Sequence, residues 1–327
     1  MPANPSLPRI VSVVIGTRNR PDTLREALAS IRALEGPDLK FEILVGDNGT
    51  TPETPGVVAE FGGIYDRTDV YGCPAARNLA MKRITGEFVA FLDDDDVWLP
   101  EHIRPHIAML DAHPEFEAVF GQLISTDEAL RPINDPWPDN PPEDGDFFRL
   151  MMSGYFPQVG ATLVRARAVK KYGLMDETLI GDSDWDWQLR VARNHKIGFV
   201  RVPCALFRQR AKGTFDKLQM TRVGYTRRIF VRHAKGAMSK WRTPFGMMNS
   251  YFGTMDSYFS YFEGAAIERA MAGDKAGARK AMTNALVIKP GRWFKSMLKS
   301  TALRRALREY LTPGSRSKSG AKSELKM

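Results

Sequence analysis

The chain has 327 residues, 43% of them hydrophobic and 10% aromatic, an ordinary globular composition with enough apolar material for one large or two modest cores. A net charge of +9 fits nucleic acid, anionic lipid or phosphorylated substrates about equally. No apolar leader or run of about 18 apolar residues occurs, and Cys73 and Cys204, the two cysteines, lack metal-ligand or disulfide spacing. A cytoplasmic protein with at most peripheral membrane contact is therefore expected.

RIVSVVIG, residues 9–16, reads as a buried strand, broken by Thr17-Arg18-Asn19-Arg20 before Pro21 opens a helix. Leu24, Leu28, Ile31 and Leu34 share one face of that helix, and Gly36-Pro37 stops it. A second strand, Phe41–Val45, runs into Gly46-Asp47-Asn48-Gly49. Together these form a βαβ unit, which closes right-handed into a parallel sheet. Asp47 either shapes the turn or accepts a hydrogen bond from a ligand such as a pyrimidine imide. Gly62–Tyr65 reads as a short third strand, and after Gly72-Cys73-Pro74 a helix carries Arg77 and Asn78 near its start. A helix N-terminus with an arginine suits a phosphate, although an arginine on an exposed helical face needs no ligand.

Glu87–Pro100, EFVAFLDDDDVWLP, is the most informative stretch. Its apolar run predicts a buried strand that delivers Asp93, Asp94, Asp95 and Asp96 at its carboxyl end, where open α/β sheets bind ligands. Two carboxylates about 5 Å apart repel by roughly 3 kcal/mol at an effective dielectric near 20, so a partly buried cluster takes up a proton or a cation. Oxygen ligands favour Mg²⁺, Mn²⁺ or Ca²⁺. A solvated acidic turn is the alternative, against which the preceding strand and Trp98 argue.

Residues 100–113 read as a helix, 118–124 as a strand, and the proline-rich 131–145 as a loop, either a border of a second-substrate site or a structural insertion. A strand is expected over 156–164 and a helix over 167–172. Trp185, Leu189 and Ala192 have helical spacing, with Asp182 or Ser183 as the cap and Asp184 in the first turn. Ile197–Val202 is the last strand, and His113, His195 and the other histidines are read as surface or packing residues without paired ligand spacing. From about residue 215 the pattern is helical. The aromatic set within 247–262 suits packing, and 263–290 resembles one tetratricopeptide-like hairpin turning at Gly273-Asp274. Trp293, Phe294, Met297 and Leu298 among Arg292, Lys295 and Lys299 make a basic amphipathic helix, suited to an anionic membrane surface or to packing on the domain. The division expected is 1–214, 215–312 and a disordered basic tail, 313–327.

VSVVIGTRNRP, FEILVGDNGT, GCPAARN, GEFVAFLDDDDVWLP and DSDWDWQLR, in this order, resemble the family 2 glycosyltransferases over roughly residues 8–212. The resemblance implies a GT-A fold: an α/β, Rossmann-like, mostly parallel sheet flanked by helices, here followed by a helical C-terminal region. It implies inverting transfer of a sugar from a nucleotide donor, usually a UDP- or dTDP-sugar, to a glycan or lipid-linked acceptor in surface-polysaccharide synthesis, with Mn²⁺ or Mg²⁺ at a D-x-D element. Nucleic acid is not an expected partner. Carried over by position, Asp47 contacts the base, and Arg77 lies near the nucleotide with Thr17, Asn19 and Arg20. Asp93 and Asp95 are the D-x-D acids, with Asp95 the direct metal ligand and Asp93 or Asp94 nearer the ribose. Asp184 takes the general base's place.

Three positions depart from the family pattern. Arg18 replaces an aromatic residue, Ser183 stands where a glutamate is usual, and Arg210 replaces a histidine that would ligate the metal. A degenerate GT-A binding module, or less readily a sugar nucleotidyltransferase, are the competing readings.

Overall fold

The computed structural model describes residues 7–209, 216–236, 244–299, 301 and 304. Arg210 and residues 313–327 lie outside that set. Strand β1 (Arg9–Thr17) buries Val11, Val13, Val14 and Ile15 completely. Pro21 pre-sets the first turn of α1 (Pro21–Arg32), whose buried stripe is Leu24, Ala27, Leu28 and Ile31. β2 (Leu39–Asp47) pairs parallel to β1, α2 (Thr54–Glu60) follows, and β3 (Ile64–Arg67) pairs parallel to β2. The chain then returns through α3 (Cys73–Met81) to β4 (Phe88–Asp93), parallel to β1 on its other side.

This reversal creates a topological switch point between β1 and β4, where a crevice opens at the strand ends. Register fixes what faces it, with Gly16 opposite Asp93 and Thr17 opposite Asp47. α3 packs so closely over these ends that a Cβ on Gly46 would lie 1.8 Å from the Ala76 carbonyl oxygen, so only glycine fits there.

The second half adds β5 (Val97–Trp98), α4 (Ile103–Ala112), β6 (Phe116–Thr126), α5 (Phe147–Met151), a 3₁₀ turn at Val159–Ala161, β7 (Thr162–Arg165), α6 (Ala166–Tyr172), α7 (Ser183–Ala192) and β8 (Lys196–Arg208). The sheet order is β3-β2-β1-β4-β7-β6-β8-β5. β7 is antiparallel to both neighbours, β5 is antiparallel to β8, and β6 and β8 run parallel. The main core lies between this sheet and α1, α2 and α4.

Several elements differ from expectation. The strand expected over 156–164 is confined to Thr162–Arg165, because Pro157 and Gly160 break the run. Val97 and Trp98 pair with Leu206 and Ala205, which delays the helix expected from residue 100 to Ile103. Helix α2, hidden by Pro55-Gly56, was not foreseen. The proline-rich segment is fastened to β6, with Leu123 and Trp137 exchanging backbone hydrogen bonds of 3.0 and 2.7 Å and Trp137 stacked on Tyr155. Among the histidines one point needs correcting, the absence of paired spacing: His102 and His106, four residues apart, are both fully buried, as packing residues are, and lie beside Cys204.

The chain divides into two compact units, 1–250 and 251–327. The first unit reaches past residue 214 because α8 (Asp216–Gly236) is ion-paired to α7: Arg232 contacts Asp186 at 3.1 Å, and His233 Nε2 lies 3.0 Å from the same carboxylate. α9 (Pro244–Met271) crosses the boundary. Within the second unit it turns at Gly273 (φ +78°) into α10 (Lys275–Ile288), capped by the Asp274 carboxylate, which accepts from Gly277 N at 2.9 Å. α11 (Pro290–Lys299) follows. No described helix is long and apolar enough to cross a membrane.

Candidate active site

A cleft of about 310 Å³ opens at the switch point, walled by residues including Thr17, Arg18, Arg20, Arg77, Asp93 and Asp184. Its centre is Arg77, placed by the first turns of α3 and only 4% exposed. Arg77 ion-pairs with Asp93 at the end of β4, and its other terminal nitrogen lies 3.9 Å from Asp184 at the start of α7. One buried guanidinium thus joins two carboxylates 91 positions apart in sequence. Both acids open into the cleft, with side chains about one-third exposed.

The aspartate run divides by orientation. Asp94 is buried and fully engaged: Thr17 Oγ1 donates to one oxygen at 2.8 Å and Arg20 to the other at 2.9 Å. Burial, reinforced by the neighbouring Asp95 and opposed by Arg20, pushes its pKa up to about 6. Asp95 lies 3.7 Å from Arg20, is 6% exposed and does not wall the cleft, although the sequence assigned it the direct metal contact. Asp96 accepts from the Arg208 backbone N–H at 2.9 Å and so ties the run to β8. Asp93 is therefore the acid of the run that is most open to a ligand.

Asp47 is buried behind the cleft, whose wall carries its neighbour Asn48 instead; it shapes its turn by accepting from Gly49 N at 2.6 Å, and accepts from Tyr65 Oη at 3.0 Å. Asn19 (φ +56°) accepts from the backbone of Thr50 and Thr51, bracing the β1 and β2 loops rather than facing the cleft. Arg18 lies 4.7 Å from the Tyr71 ring centroid at the cleft wall, so an aromatic residue stands beside it, supplied from a loop that sequence reading passed over.

Asp184 has its pKa raised by burial and by neighbouring Asp182, against the opposing charge of Arg77. The chain reaches it through Asp182, held in the left-handed region at φ +59° and bonded by Arg222 and Thr226 of α8. Arg222 also walls the cleft. Sequence reading missed it, since nothing local marks a residue 40 positions away as a partner of Asp182.

Hard oxygen donors at the acidic end fit a divalent cation shared with phosphates, which Mg²⁺ commonly binds through one or two carboxylates. Asp93, with about a third of its side chain exposed at the cleft, supplies the open carboxylate, while Asp95 is buried 3.7 Å from Arg20.

The fold is that of a GT-A-type α/β protein, with a charged cleft at its switch point. Residues 12–173 match the profile "Glycosyl transferase family 2", and the chain belongs to that family. It is 24% identical over 200 residues to the glycosyltransferase MJ1057 of Methanocaldococcus jannaschii, covering 58% of this chain and 68% of that one. It is 32% identical over 105 residues to the Escherichia coli UDP-Glc:alpha-D-GlcNAc-diphosphoundecaprenol beta-1,3-glucosyltransferase WfgD, covering 31% of this chain and 41% of that enzyme. Staphylococcus aureus TarS 1–349 in complex with UDP superposes with a TM-score of 0.59 at 16% identity, over 92% of this chain and 87% of that one. The mannosyltransferase PcManGT of Pyrobaculum calidifontis with GDP-Man and Mn²⁺ gives 0.53 at 18% identity, over 94% and 88%.

Proposed function

We propose that this chain is an inverting glycosyltransferase that moves a sugar from a nucleoside-diphosphate donor, UDP- or dTDP-linked, to a hydroxyl of a glycan or lipid-linked acceptor in cell-surface polysaccharide synthesis. The observation that carries this reading is Arg77, buried at the cleft floor between Asp93 on the strand side and Asp184 on the helix side. The names of the relatives agree with it: WfgD acts on a diphosphoundecaprenol-linked sugar, and TarS was solved with UDP.

In this reading Asp47 meets the base from behind the cleft wall, Thr17 and Arg20 shape the donor wall around Asp94, and Asn19 braces the loops that carry them. Arg77, with the N-terminus of α3, faces the diphosphate. Asp93 and Asp95 would hold Mn²⁺ or Mg²⁺, whose charge would stabilise the negative charge that develops on the leaving diphosphate. Asp184 takes the proton of the acceptor hydroxyl as its oxygen attacks the anomeric carbon opposite the leaving group. Its raised pKa makes it a stronger base than an ordinary aspartate. One displacement inverts the centre, and no protein nucleophile is needed.

A donor screen over nucleotide sugars with Mn²⁺ or Mg²⁺, read by release of nucleoside diphosphate and by ligand-induced Tm shifts, tests the proposal. Turnover or binding of one donor, lost in Asp93→Asn, is expected. Absence of binding and turnover across the panel overturns it in favour of a scaffold role.

A further inference from the structure

Beyond the aspartate run, the chain holds a second group of ligating side chains that the proposed transfer does not use. His102, at the cap of α4, His106 on α4 and Cys204 on β8 are each fully buried, and a ligating atom from each lies within 4.8 Å of the other two. His106 Nδ1 is 2.5 Å from the His102 carbonyl oxygen. A carbonyl only accepts, so Nδ1 carries the hydrogen and Nε2 keeps a free lone pair. That Nε2 has no hydrogen-bond partner, and neither does either nitrogen of His102. Buried polar atoms left unsatisfied are costly, so three together call for an explanation. A backbone carbonyl that fixes the tautomer and frees the other nitrogen is the usual support of a metal-binding histidine.

The surroundings leave no place for a competing side chain. A Cβ on Gly121 of β6 would lie 2.4 Å from Cys204 Sγ and 3.1 Å from His106 Nε2. Cys204 Sγ donates to the Val202 carbonyl at 3.1 Å, a weak bond readily exchanged for a stronger ligand.

We infer that His102, His106 and Cys204 form a binding site for a thiophilic d¹⁰ cation, Zn²⁺ or Cu⁺, distinct from the acidic end of the cleft. One thiolate and two imidazoles are the soft set that selects such ions over Mg²⁺ or Mn²⁺. Binding exchanges the S–H bond for a sulfur–metal bond, and the proton leaves to solvent. With metal–nitrogen distances of about 2.0 Å and metal–sulfur of about 2.3 Å, the three ligands close by roughly 1 Å on the ion. Cu⁺ would leave the group neutral, and Zn²⁺ would leave one positive charge. The ion would pin α4 to β8 next to β5, stiffening the segment that carries the aspartates out of β4.

The test uses the full chain carrying Asp93→Asn and Asp95→Asn, which removes the oxygen site, produced in media supplemented with Co²⁺, Zn²⁺ or Cu. One equivalent of metal retained through gel filtration, a thiolate-to-cobalt charge-transfer band in the Co²⁺ form and a raised Tm are expected. Cys204→Ser and His106→Asn should lose the band, while Cys73→Ala keeps it. Metal analysis of the separate Zn²⁺ and Cu preparations identifies the ion. No retained metal in any preparation, or an undiminished band in a Cys204→Ser variant with native circular dichroism, overturns the inference.

Discussion

At the residue scale the site turns on how three charges share a cleft. Arg77 is buried between Asp93 and Asp184, and neither acid has another ion-pair partner among the described contacts. The two acids were legible because each ends a readable pattern, an apolar strand in one case and a helical start in the other. The burial of Asp95 was not, since four identical residues in a row give no sign of which way each points. Likewise Tyr71 and Arg222 come from a loop and a distant helix that carry no local signature. If Asp184 is the base, Asp184→Asn should keep donor affinity within about twofold and lower transfer by about 10²–10⁴-fold, as removal of a general base does. Separate measurement of donor Kd and of transfer kcat checks this. Unchanged transfer would remove Asp184 from the role.

At the element scale, α7 is held in place from behind by a buried charge cluster on its opposite side. Asp186 is 1% exposed and meets His233 at 3.0 Å, Arg232 at 3.1 Å and Arg190 at 3.3 Å. Burial pushes its pKa up, but the His233 hydrogen bond and the His233, Arg190 and Arg232 charges prevail and hold it below the ordinary 3.8. A depressed carboxylate contributes stability that is present above the unfolded value and lost as pH falls through the folded one. Asp186→Asn should therefore destabilise the protein at pH 7 by about 3 kcal/mol, as breaking one side of a buried pair does. The deficit should shrink as pH falls below the ordinary 3.8 and vanish once pH passes the depressed value at which folded Asp186 protonates. Urea unfolding at several pH values reads both, and a deficit independent of pH would refute the ionic account. A second prediction concerns α3: Gly46→Ala should displace the helix that carries Arg77, weakening donor binding at least tenfold and lowering Tm by several degrees. Unaltered donor Kd in a folded Gly46→Ala protein would show that the close approach is not needed to seat Arg77.

At the scale of the whole molecule, the first half of the sheet was readable because each parallel strand is an apolar run closed by Gly, Asp or Pro. The second half was less so. Pro157 and Gly160 confine β7 to four residues, and β5 is two residues whose pairing with β8 depends on tertiary contact alone. The basic helix α11 was legible as amphipathic, and the second unit shows how its apolar residues divide. Trp293 is buried, whereas Phe294 and Leu298 are 62% and 77% exposed. Phe294 and Leu298 share one stripe at i, i+4 spacing, flanked by Lys295 and Lys299 at the same spacing. The tryptophan is thus covered, while Phe294 and Leu298 leave an apolar edge bordered by cations, a pattern suited to a helix on an anionic lipid surface. Each basic residue near such a surface contributes about 1 kcal/mol, screened by salt. The full chain should therefore float with vesicles containing anionic lipid and release as salt rises. Lys295→Glu with Lys299→Glu should reduce binding more than tenfold, and Phe294→Ser with Leu298→Ser should reduce it even at low salt. Equal flotation of wild type and both variants, or equal binding to purely zwitterionic vesicles, would assign these exposed side chains to a protein partner instead.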